Sequence, residues 1–99
     1  MEEFRFTDIP SIPVLELEEA DVFFDENSEF VYERILQAVE EGIIANRNEI
    51  RLFELNGTGV YVTSNRPDWS QGVQQALDYF ILLEKYDKCI IARQLLQKL

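Results

Sequence analysis

Apolar residues recur with helical spacing over the second quarter of the chain. Val31, Ile35 and Ala38 form one row, and Tyr32, Leu36 and Val39 an adjacent one. Two neighbouring rows at i, i+3 and i+4 make a broad stripe with a buried face, which predicts an amphipathic helix. Asn27 or Ser28 stands where an N-cap belongs, and Glu29 occupies the first turn, where a carboxylate favours the helix dipole. Arg34, Glu40 and Glu41 fall on the wet side, and Gly42 is placed to end the helix as its C′ residue, with Ile43 folding back.

The pattern then changes to period two. Glu49 to Leu55, a turn over Asn56-Gly57-Thr58-Gly59, and Val60 to Thr63 predict a β-hairpin. A two-residue Asn-Gly turn and a four-residue loop both fit. Either register places Phe53, Leu55, Val60 and Val62 on one face. Gly57-Thr58-Gly59 lacks the Lys and the following helix start of a phosphate-binding loop, so it reads as a turn.

Asn65-Arg66-Pro67-Asp68 ends the strand. Asp68 and Gln71 have capping-box spacing for a helix in which Trp69, Val73, Ala76, Leu77, Phe80 and Leu83 share a stripe. Tyr79, Ile81 and Leu82 widen that stripe almost all the way round. Trp69 reads as part of the core edge, and Arg66 as a partner for Asp68 or a neighbouring acid. An unbroken helix from Trp69 to Lys98 would be about 45 Å long at 1.5 Å per residue, too long for so short a chain. A break is expected over Glu84–Lys88, followed by a last helix carrying Cys89, Ile90, Leu95, Leu96 and Leu99.

At the other end, Pro10 and Pro13 forbid helix in residues 1–13 and predict an extended arm. Leu15-Glu16-Leu17-Glu18 alternates, which predicts a short strand with both leucines inward. The whole is an α+β domain spanning residues 1–99: arm, short strand, helix, hairpin and two C-terminal helices.

Charge changes this picture. The 99 residues hold 19 acids and 9 bases, a net charge of −10. Thirteen acids and two bases lie in residues 1–42, a net of −11, and six acids and seven bases in residues 43–99, a net of +1. The field is densest over Glu16, Glu18, Glu19, Asp21, Asp25, Glu26 and Glu29, which interleave with Leu15, Leu17, Val22, Phe23 and Phe24. A basic protein partner would be steered by such carboxylates and held by such apolar groups. Direct nucleic-acid binding through phosphates is argued against by the same charge.

The chain has no histidine and one cysteine, Cys89. Ser-His and Cys-His nucleophiles and histidine or multi-cysteine metal sites are therefore excluded. Cys89 itself sits in an apolar helical pattern and reads as core. Asp21, Asp25, Glu26 and Glu29 lack the spacing and glycine of an EF-hand, so neither a metal nor another cofactor is expected. No apolar run approaches the roughly 20 residues of a membrane-spanning helix. An acidic N-terminus differs from a signal peptide, and a lone cysteine gains nothing from an oxidising compartment, so a cytoplasmic location is expected.

The expected function is that of a non-enzymatic protein-interaction module, of inhibitor, immunity or regulatory type, using the acidic N-terminal face. The alternative is an assembly subunit that self-associates through Leu95, Leu96 and Leu99 of its C-terminal helices. A small carboxylate- or metal-dependent enzyme ranks third.

Overall fold

The computed structural model describes residues 8–99; residues 1–7 of the expected arm lie outside them. A short strand, β1 (Ser11–Ile12), is followed by helices α1 (Leu17–Glu26) and α2 (Ser28–Ile44). Then come the hairpin strands β2 (Glu49–Leu55) and β3 (Tyr61–Asn65), a 3-10 turn over Arg66–Asp68, and helices α3 (Trp69–Leu82) and α4 (Tyr86–Lys98). The α+β reading holds. β2 is the middle strand of a three-stranded sheet, parallel to β1 and antiparallel to β3.

The arm supplies the strand, two prolines bracketing it. Glu54 N–H donates to the Pro10 carbonyl and Asn56 N–H to that of Ile12, both at 2.9 Å. The strand expected at Leu15–Glu18 is instead a loop and the first turn of α1, with Leu15 and Leu17 exposed. Four alternating residues are a weak signal. It is overridden because Ala20, Phe23 and Phe24, at helical spacing, face inward and can be buried together only by a helix. Phe24 and Phe30 each lie 5.5 Å from Phe53, ring centre to ring centre, and so fasten α1 and α2 to the sheet.

α2 begins at Ser28 as its pattern predicts, without a side-chain cap. Asn27 and Ser28 instead turn back: Asn27 Nδ2 donates to the Phe23 carbonyl at 2.9 Å, and Ser28 Oγ to that of Asp25 at 3.2 Å. Gly42 does not end the helix, which runs on to Ile44. The left-handed residue is Asn46, with φ of 53°. Its N–H donates to Ile43 O, and that of Arg47 to Gly42 O, the two bonds of a Schellman motif. Gly42 is glycine for a packing reason. A Cβ there would stand 2.7 Å from both Ile50 Cγ2 and Trp69 Cη2.

In the hairpin, Phe53 and Leu55 are buried and Val62 half-buried, but Val60 is exposed at the loop mouth. Asn56 and Gly57 both have positive φ, and Thr58 N–H donates to Leu55 O at 2.8 Å, so a type I′ turn sits inside a four-residue loop. A bulge leaves Leu52 unopposed between the pairs Arg51–Thr63 and Phe53–Val62. The extra residue reverses the alternation, which is how Ile50 and Phe53, three apart, both reach the interior.

Asp68 makes no side-chain cap hydrogen bond, because the 3-10 turn runs directly into α3. Arg66 bonds the Arg47 carbonyl through Nη1 at 2.8 Å and lies over the Trp69 ring, and pairs with no acid among the described residues. Trp69 is fully buried, its Nε1 donating to Ser64 O at 3.0 Å. The expected break between the last helices is present. Glu84 takes φ of 57°, and Lys85 N–H donates to Phe80 O at 3.0 Å.

Two apolar clusters result. One joins α2, α3 and α4 to Ile50, and the other lies among β1, α1, Val31, Phe53 and Leu55, with Ile35 and Leu52 touching both. The radius of gyration is 13.5 Å, as expected of a compact chain of this length.

Candidate protein-binding face

The sequence places seven carboxylates in the acidic segment, and α1 brings five of them onto one helix. Glu18, Glu19, Asp21, Asp25 and Glu26 are all exposed, and Glu16 stands exposed at the N-cap position. Val22 lies in their midst, 60% exposed. Its helical neighbours at i−4, i−3, i+3 and i+4 are Glu18, Glu19, Asp25 and Glu26. None of the six has an ion pair within the described residues.

This arrangement has a local cost. Glu18–Asp21 and Asp21–Asp25 are like-charged pairs at i+3 and i+4, each unfavourable by about 0.2–0.5 kcal/mol. Asp25 and Glu26 also stand at the negative end of the helix dipole, and α1 has no basic residue in its last turn. Glu29 is different: at the start of α2 it is paired with Lys85 of α4.

The other charged constellation centres on Arg34, expected on the wet side but 5% exposed. Nε donates to Leu52 O and Nη2 to Arg51 O, both at 2.8 Å, and Nη1 to Gln37 Oε1 at 3.1 Å. Burial pushes the guanidinium pKa down, while Glu41, 4.0 Å away, partly offsets this. A 530 Å³ recess beside this group is lined by Glu33, Gln37, Glu40 and Lys88 among others. The arginine itself is committed to backbone carbonyls.

The self-association residues are not brought together at a surface. Leu95 is 3% exposed and packed in the larger core, Leu96 is partly buried against it, and only Leu99 is exposed. A helix buries one side, and α4 turns Cys89, Ala92 and Leu95 inward. Apart from Leu99, the exposed large apolar residues of the helical pair lie at its other end: Ile81, Leu82, Leu83, Tyr86 and Ile90. Their signal in the sequence is the widening of the α3 stripe through Ile81 and Leu82.

Among the described residues no group of three or more His, Cys, Asp or Glu side chains could hold a metal ion. No helix among them is long and apolar enough to cross a membrane. Comparison with known proteins gives no match, whether to family models, to curated proteins or to solved structures.

Proposed function

We propose that this chain is a protein-interaction module that binds a basic protein surface through the exposed face of α1. The observation that supports the reading is Val22, an exposed apolar side chain ringed by four carboxylates that lack an internal counter-charge among the described residues. Carboxylates steer a basic partner into register, and an apolar centre supplies area that is desolvated on contact. Such a face suits an inhibitor or regulator of a protein whose own site is basic.

The test compares the wild type with the variant Glu18→Gln, Glu19→Gln, Asp21→Asn, Asp25→Asn, Glu26→Gln as baits in host lysate, at low and moderate salt. A basic protein retained by the wild type, released by salt and lost by the variant is the expected result. With that protein in hand, the variant should slow association more than it speeds dissociation. Identical retention by both baits refutes the reading.

A further inference from the structure

The corner between α3 and α4 exposes four large apolar side chains: Leu82 at 82%, Tyr86 at 63%, Ile90 at 55% and Leu83 at 45%. Leu82 ends α3, Leu83 caps it, Tyr86 opens α4 and Ile90 follows one turn later. The corner is a defined turn. Glu84 holds the left-handed conformation, and its N–H and that of Lys85 donate to Ile81 O and Phe80 O, both at 3.0 Å.

Charge around the patch is mainly negative, with one exposed cation, Arg93, a turn past Ile90 on the same face of α4. Asp78 lies one turn before Leu82, Glu84 follows Leu83, and Asp87 follows Tyr86. These three carboxylates have no ion pair among the described residues. Asp78 accepts the side-chain amide of Gln74 at 3.0 Å. The lysines of the same corner are turned toward α2: Lys85 pairs with Glu29, and Lys88 lies 3.8 Å from Glu33. An apolar centre is thus left with a rim of three carboxylates against one cation, Arg93.

We infer that this corner is a second docking surface, and that its occupant is a basic amphipathic segment of a partner protein. The partner's apolar stripe covers Leu82, Leu83, Tyr86 and Ile90, and its Lys or Arg side chains meet Asp78, Glu84 and Asp87. A second copy of the chain would set three carboxylates against three with only one Arg93 from each side to offset them, an excess of like charge that interfaces avoid. The inference shares with the proposed function the sign of the partner's charge, but it rests on different residues and can fail separately.

The probe is a synthetic peptide of leucine and lysine at helical spacing, titrated into the isotope-labelled full chain and followed by amide chemical shifts. A leucine–glutamate peptide of the same spacing is the control. Saturable shifts centred on residues 81–90 and absent with the acidic peptide are expected. Leu82→Ser with Ile90→Ser should weaken binding roughly tenfold or more, as removal of a central apolar anchor does. Glu84→Gln with Asp87→Asn should reduce its salt dependence. Both pairs are exposed, so their spectra report directly that the fold is retained. Shifts confined to residues 16–26 overturn the corner and leave the proposed function standing. Equal binding of both peptides, no binding, or a peptide-free dimer broken by Leu82→Ser each overturn the inference.

Discussion

Arg34 is bonded to the backbone of Leu52: its Nε lies 2.8 Å from the Leu52 carbonyl, at the residue the β-bulge leaves unopposed. Nη2 takes the neighbouring Arg51 carbonyl at the same distance. Among the described residues, β1 pairs with Glu54 and Leu55, and toward the start of β2 a helix side chain satisfies the Arg51 and Leu52 carbonyls instead. Arg34→Ala leaves two carbonyls without that partner, and a loss of about 2–4 kcal/mol is expected in urea unfolding. Arg34→Lys keeps the charge without the planar fork and should fall between the two.

Gly42 is where α2 meets Trp69 and Ile50. Alanine there adds helix propensity of about 1 kcal/mol, but its methyl would meet both neighbours at 2.7 Å. Overpacking should win, for a net loss of about 1–3 kcal/mol. A shifted Trp69 emission maximum would accompany it. A Gly42→Ala protein as stable as wild type would show that the contact relaxes freely.

Glu84 is neither Gly nor Asn, yet it holds a φ of 57°. Glu84→Gly removes the steric penalty at that position and loosens the unfolded chain in return, and a net gain of about 0.5–1 kcal/mol is expected. The measurement is the midpoint of thermal or urea unfolding.

Leu95 and Leu99 should respond differently to the same change. Leu95→Glu puts a carboxylate into a packed apolar site and should cost about 3 kcal/mol or more. Leu99→Glu, at an exposed terminus, should lie within about 0.5 kcal/mol of wild type. Circular dichroism with urea titration distinguishes them.

The long helix over Val31–Val39, the Asn56-Gly57 turn and the break at Glu84 were legible because each is decided within a few residues: by helical spacing, by a turn dipeptide that tolerates positive φ, and by a polar gap in an apolar run. The same holds for the acidic segment and for the absent histidine, which are properties of composition. What period and composition leave open is which of two available faces is covered.

Burial is a non-local outcome, and tertiary structure alone decided it. α1 exists because Phe23 and Phe24 find Phe30 and Phe53 to pack on. Ile50 turns inward because of a bulge that one strand's sequence does not announce. Arg34, on the polar side of its own helix, is covered because the bulged carbonyls of β2 need donors. Leu95 is core and Leu82 surface because α4 can present only one side to α2 and α3. Local sequence sets which residues share a face, and packing between distant segments sets which face loses its water.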